Sequence, residues 1–150
     1  EQLKRQLHTP AFRRIYLAVC DGGPQPPSGV VDAPLGPREG SLVEQMVRPD
    51  GKPASTRYRV VLEREGRSLL RLALDTGRTH QIRVHMASIG HPLLGDVVYG
   101  AKKPVPGLAG QCLHARRLSF VHPRTGERVT VVCPLPAYFT QVLTKLRHLV

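Results

Sequence analysis

Between Thr76 and Gly100 the chain gathers the side chains that could do chemistry. The run Thr76-Gly77-Arg78-Thr79-His80-Gln81-Ile82-Arg83-Val84-His85-Met86-Ala87 is followed by Gly90-His91-Pro92-Leu93-Leu94-Gly95-Asp96 and then by Tyr99-Gly100. Three readings of it compete. A metal site would draw on His80, His85 and Asp96, but histidines at that spacing on a helix diverge by about 140°, and no second acidic or cysteine ligand lies near them. A phosphate site is the second reading, because Gly77 and the free amides after Thr79 make an anion-friendly turn to which Arg78 adds charge. A structural helix with satisfied polar groups is the third. Arg83 weighs against that last reading. It adjoins Ile82 and Val84 and lies one turn from Met86 and Ala87, so its guanidinium starts near the buried edge, where a cation needs a carboxylate partner.

The elements that must position this run follow from periodicity. Arg14 to Cys20 alternates, with Ile15, Leu17 and Val19 on one face and Tyr16, Ala18 and Cys20 on the other, which predicts a strand ended by Asp21-Gly22-Gly23. From Gly22 to Pro53 the chain is rich in Gly and Pro, predicting loops with at most short strands. Ala54 to Leu62 alternates again, with Thr56, Tyr58, Val60 and Leu62 opposite Ser55, Arg57, Arg59 and Val61; one face suits a core and the other solvent or RNA. A turn at Glu63-Arg64-Glu65-Gly66 joins it to a more buried strand over Ser68 to Leu74, making a hairpin. Thr79 is then the expected cap of a short helix with apolar positions at Ile82, Met86 and Ile89, and Gly90 lies just past its end. Leu93 to Gln111 reads as loop. Leu113 to Phe120 and Glu127 to Cys133 are two more strands, and Ala137 to Val150 is an amphipathic helix striped by Phe139, Val142, Leu143, Leu146 and Leu149, with Lys145, Arg147 and His148 in its last turn. The sum is an α+β chain: a mixed, mainly antiparallel sheet with a few flanking helices.

Composition sets the partners. The chain has 150 residues, 41% of them hydrophobic, enough for one domain or for part of a larger one. It opens at Glu1, and Glu1 to Leu7 has the spacing of a helix already under way with no capping residue ahead of it, so a preceding part of the same domain is expected. Twenty-two Lys and Arg against 11 acidic residues give a net charge of +11 spread along the chain, which attracts polyanions and makes nucleic acid the first partner to consider. No apolar run approaches the ~20 residues of a membrane span. Cys20, Cys112 and Cys133 are odd in number and widely spaced, unlike a disulfide framework or a paired zinc site, and are expected to be reduced thiols in a cytoplasmic protein.

The Thr76 to Gly100 run resembles the signature segment of the RluA-like RNA pseudouridine synthases. Arg14-Ile15-Tyr16-Leu17-Ala18-Val19 resembles the family motif in which a basic residue precedes a tyrosine on a strand. Gly29 to Gly36 and Gly51 to Tyr58 resemble its intervening hairpins, and Gln111-Cys112-Leu113-His114-Ala115 with Leu118, Phe120, His122 and Pro123 resembles its last catalytic-domain motif. The motifs run in the family's order. The resemblance implies a pseudouridine synthase fold and a cofactor-free, metal-free isomerisation of uridine in rRNA or tRNA. It implies that Arg83 pairs with the catalytic aspartate, that Tyr16 lies against the uracil, that Leu113 closes the pocket, and that Arg78, Thr79, His80 and Gln81 contact phosphate or sugar, His80 also helping to extrude the nucleotide. The family's His-Arg-Leu-Asp type motif, which carries that aspartate, does not occur between Glu1 and Val150. The expected identity is therefore the C-terminal portion of one catalytic domain, inactive alone, with a non-catalytic RNA-binding module as the alternative. Asp96 is expected to tie the following loop to the backbone, and Asp21, Asp32, Asp50 and Asp75 to occupy turns or loops.

Overall fold

The computed structural model describes residues 5, 12–108 and 110–148, the last two by their backbone. The helix expected across Glu1 to Leu7, apart from Arg5, and the contribution of Leu149 lie outside the described residues. Among the described residues there are eight strands and two helices: β1 Arg13–Asp21, β2 Ser28–Asp32, β3 Leu35–Pro37, β4 Gln45–Val47, β5 Ser55–Arg64, β6 Arg67–Leu74, α1 Gln81–Ser88, β7 Leu113–Val121, β8 Arg128–Val132 and α2 Ala137–His148. The Gly/Pro-rich stretch holds three short strands, so the strand count exceeds the five or so read from periodicity.

Six strands form one antiparallel sheet in the order β2-β5-β6-β1-β7-β8, and β3 and β4 pair separately as a small hairpin. The architecture is α+β. β1 lies inside the sheet because it can bury both of its faces. Tyr16, Ala18 and Cys20 look toward α1, where Ala18, Cys20, Leu70, Leu72 and Tyr58 close around Ile82 and Met86. Leu17 and Val19 look toward α2, against Phe139, Val142 and Leu146. The sheet is therefore sandwiched, each helix burying an apolar stripe that its strands supply in register. β5 obeys its alternation up to Val60, with Thr56 and Tyr58 buried and Arg57 and Arg59 exposed. Val61, 52% exposed, continues that outward face beside a bulge between Val60 and Leu62.

The segment after α1 is loop, as expected, but it is stitched to the end of β1. Asp21 N–H donates to Pro92 O, Leu94 N–H to Val19 O, and Cys112 N–H to Leu94 O. The turn at Gly95 (φ 80°) brings the chain so close to the next loop that a Cβ there would meet Gly110 O at 2.5 Å, so only glycine fits. This stitching delivers Asp96 beneath α1. Cys20 and Cys112 are buried, and burial pushes both thiols up to about 12, leaving them protonated and unreactive.

Candidate active site

The signature run is held from inside by Gln81, whose side chain is 2% exposed. Its amide nitrogen donates to Ser55 O and Thr56 Oγ1, both at 2.9 Å, and its amide oxygen accepts from Thr76 Oγ1 at 2.7 Å and Arg78 N–H at 3.0 Å. All four hydrogen-bonding positions are occupied. The expectation that Gln81 touches phosphate or sugar is corrected by this saturation: it fastens the β6–α1 turn to β5. Thr56 continues the network. Its hydroxyl lies 2.8 Å from Nδ1 of the fully buried His85, whose Nε2 is 2.9 Å from Ala33 O. A carbonyl only accepts, so Nε2 carries the hydrogen, and Thr56 donates to Nδ1 while accepting from Gln81. The ring is neutral in this arrangement, in keeping with burial, which lowers the His85 pKa below the usual histidine value.

The expected Thr79 cap is also corrected. Thr79 is exposed, and the residue at the helix N-terminus is His80, in left-handed conformation (φ 55°, ψ 23°) with no side-chain capping bond. A non-glycine residue in that region is held by its surroundings, and here the hold is Tyr99, whose hydroxyl lies 2.6 Å from His80 Nδ1. Ile89, expected on the apolar stripe, is instead the exposed residue just past the end of α1.

Arg83 has the carboxylate its position demands. Nε and Nη2 donate to Asp96 Oδ2 and Oδ1 at 2.9 and 3.0 Å, and the two side chains are only 13% and 1% exposed. This is a two-pronged, charge-assisted pair; the Asp96 carboxylate holds the guanidinium protonated more firmly than usual, against the opposing effect of burial. The guanidinium also lies 4.9 Å from the centre of the Tyr99 ring. Asp96 therefore anchors its loop to α1 through Arg83, and not to the backbone as expected.

Tyr16 and Leu113 come together on the sheet. Tyr16 pairs with Ala115 and Ala18 with Leu113 across β1 and β7, so Tyr16 and Leu113 are diagonal neighbours on the α1 face, both half-buried against the cluster that contains Ile82. Ala115 beside them is exposed, so this end of the face is open to solvent. Arg14, two residues before Tyr16 on the same face, runs under the signature turn: a Cβ on Gly77 would meet Arg14 Nη1 at 2.5 Å, and Arg14 Nε is buried without a partner among the described residues. Arg78 and Thr79 line a different opening, a cleft of about 520 Å³ that they share with Gly77 and with Arg48, Asp50 and Lys52 from the segment after β4. Arg78 is fixed there by a 2.8 Å bond from its Nε to Pro53 O.

The candidate residues thus fall into three groups: Tyr16 and Leu113 on the α1 face of the sheet, Arg83 in its ionic cluster with Asp96 and Tyr99, and Arg78 and Thr79 in the separate cleft. Asp96 and Tyr99 stood in the signature without an assigned role in catalysis. Their ability to reach Arg83 and His80 depends on the turn after Leu93, which no local spacing reveals. Among the described residues no three His, Cys, Asp or Glu side chains converge as they would around a metal ion, and no helix is long and apolar enough to cross a membrane.

Comparison with known proteins identifies the family. Residues 1–88 match the family model of RNA pseudouridylate synthase. An uncharacterized RNA pseudouridine synthase of Chloroflexus aurantiacus is 44% identical over 136 residues, covering 91% of this chain and 43% of the relative. Ribosomal large subunit pseudouridine synthase D of Nitrosomonas europaea is 43% identical over 98% of this chain and 44% of its own length. The solved structure of human RNA pseudouridylate synthase domain containing 4 superposes with a TM-score of 0.77 at 27% identity, over 97% of this chain and 66% of that one. The chain spans less than half the length of these curated relatives. With its signature, fold and relatives in agreement, the chain belongs to the RNA pseudouridylate synthase family.

Proposed function

We propose that this chain is the C-terminal portion of an RNA pseudouridine synthase catalytic domain, acting on uridine in rRNA or tRNA with an aspartate supplied from outside this sequence. The observation that carries the proposal is the state of Arg83. Asp96 occupies its Nε/Nη2 edge, and Nη1 has no hydrogen-bond partner among the described residues and is not buried. The guanidinium is a planar fork with a second donor edge, so a second carboxylate can seat on Nη1 and Nη2 while the first holds the plane still. An aspartate so placed stays ionised and oriented toward the ribose of a flipped uridine. The uracil seats beside Tyr16 and Leu113, diagonal neighbours on the α1 face, with Tyr16 on its face and Leu113 closing over it. There the N-glycosidic bond breaks, the base turns and its C5 bonds to C1′ in place of N1; C5 gives up its proton and N1 takes one up, so the product is an isomer. No cofactor is required. Arg78 and Thr79, in the cleft with Arg48 and Lys52, hold the flanking phosphates.

Asp96 is a poor substitute for the missing carboxylate. Its side chain is 1% exposed and both oxygens face Arg83, so it cannot reach a nucleotide without breaking that pair. The test is pseudouridine formation in a uridine-containing RNA. The 150-residue chain alone gives none. Adding the segment with the His-Arg-Leu-Asp type motif, in cis or as a separate polypeptide, gives activity that Arg83→Ala removes. Turnover by the unaided chain would overturn the assignment; RNA binding without turnover after the segment is restored would support a non-catalytic RNA-binding module.

A further inference from the structure

Tyr99 is buried, and its hydroxyl touches both β4 and the residue at the start of α1. It accepts from Gln45 N–H at 3.0 Å and lies 2.6 Å from His80 Nδ1. A phenol has a single hydrogen to give. With Gln45 as donor, and with His80 Nδ1 the one acceptor in reach among the described residues, that hydrogen goes to Nδ1. Nδ1 is then an acceptor, and the neutral ring carries its own hydrogen on Nε2. Nε2 has no partner among the described residues and is not buried, so it is an open donor at the mouth of the site. Three further features hold the ring in that state. Its left-handed backbone leaves little freedom to swing away. The Tyr99 and His80 rings meet edge to face, 5.6 Å apart at 74°. Around them stand Arg83, 4.9 Å from the Tyr99 ring, Arg38 at 5.7 Å, and Asp96, paired with Arg83. Burial and the Arg83 charge disfavour a second proton on His80 and outweigh the Asp96 carboxylate, which favours one.

We propose that Tyr99 is a positioning residue that fixes His80 as a neutral Nε2–H donor, so that His80 contacts a hydrogen-bond acceptor of the RNA without adding charge, while the phosphates are left to the arginines and lysines. The RNA half of this statement rests on the function proposed above. The Tyr99 half does not. A neutral donor reads geometry and acceptor chemistry and releases no counterion, so its contribution is insensitive to salt. Because Gln45 lies on β4, the same hydroxyl makes His80 depend on the seating of the hairpin.

The experiment has two arms on the full chain. In the first, ¹⁵N-histidine NMR, with His80 assigned by loss of its signals in His80→Gln, shows Nδ1 unprotonated and Nε2 protonated at neutral pH. In Tyr99→Phe, which keeps the ring over Arg83, the His80 signals move toward a mixture of tautomers. A wild-type His80 that is Nδ1-protonated or doubly protonated, or a tautomer unmoved in Tyr99→Phe, overturns the positioning role. In the second arm, affinity for a structured RNA is measured against salt. His80→Ala weakens binding about fivefold, as loss of one neutral hydrogen bond does, with the slope of log K against log salt unchanged. Arg78→Ala lowers that slope by about 0.7 to 0.9. A slope change in His80→Ala like that of Arg78→Ala means His80 binds as a cation, and unchanged affinity means it touches no RNA; either result overturns the second half. Failure of the wild-type chain to bind RNA at all removes the functional reading, and the NMR arm still decides the role of Tyr99.

Discussion

Removing the Asp96 carboxylate tests whether Arg83 is held as firmly as its geometry implies. In Asp96→Ala the guanidinium, 13% exposed at its side chain, keeps its charge and loses both acceptors, with the Tyr99 ring as its remaining described contact. Breaking a buried pair by deleting one partner costs about 3–5 kcal/mol, because the other charge is stranded in a medium that solvates it poorly. For a chain of this size that corresponds to a fall in Tm of roughly 10 °C. The fold supplies its own control. Arg57 and Asp75 make one bond of 3.0 Å with side chains 63% and 44% exposed, and a pair so solvated contributes about 0–1 kcal/mol. Thermal and urea unfolding of Asp96→Ala, Asp75→Ala and the double variant Arg83→Met/Asp96→Leu should therefore give a large loss, almost none, and a loss much smaller than that of Asp96→Ala, since the double variant leaves no uncompensated charge. If Asp96→Ala costs no more than Asp75→Ala, the Arg83 guanidinium is in effect solvated. The argument that Asp96 holds its plane for a second carboxylate then fails.

Stability should also fall with acidification. The His85 pKa lies below its unfolded value of 6.5 because the ring is buried, so the unfolded chain takes up the proton first: stability is complete above about pH 6.5 and declines as pH drops toward the folded-state pKa. The urea midpoint measured from pH 8 to pH 5 should show that decline, and His85→Gln should make it shallower; equal slopes for the two chains would refute the linkage. Binding to a structured RNA should weaken steeply between low and moderate salt, since Arg59 faces Arg71 directly across β5 and β6 and like charges so placed repel until an anion covers them. An affinity flat in salt would argue against an RNA partner.

How much of this was legible in the sequence depends on how local each signal was. The alternation of β1 gave both of its faces correctly because each follows from one strand's pleat, and the two clusters that Tyr16 and Leu17 join confirm it. That Tyr16 and Leu113 would be neighbours was available only through the family resemblance, since the β1–β7 register is fixed by tertiary pairing and includes a bulge opposite Ile15 and Tyr16. The need for a carboxylate at Arg83 could be read from Ile82, Val84 and Met86. The identity of that carboxylate could not, because Asp96 arrives by a turn that only the stitching of Leu94 to Val19 and the closeness of Gly95 to Gly110 define. Gln81 shows the opposite failure. A polar residue among arginines and histidines reads as surface, yet four partners from Ser55 to Arg78 surround it. Thr79 was the better cap by propensity, yet the residue at the helix N-terminus is His80, which is tied to the distant Tyr99, a contact that no local preference encodes.

These corrections change how the site's charge is distributed. Between Thr76 and Ala87 the sequence holds two histidines and two arginines, any of which could carry positive charge. In the fold His85 is a closed link between Thr56 and Ala33, and His80 is disfavoured as a cation by burial and by Arg83. Positive charge at the start of α1 therefore comes from arginine, and guanidinium groups do not titrate in the working range. The isomerisation proposed above, which depends on keeping one carboxylate ionised, is well served by a partner whose charge does not change with pH. The histidines then contribute direction instead of charge: one by locking the helix to β5, the other by offering a single oriented hydrogen.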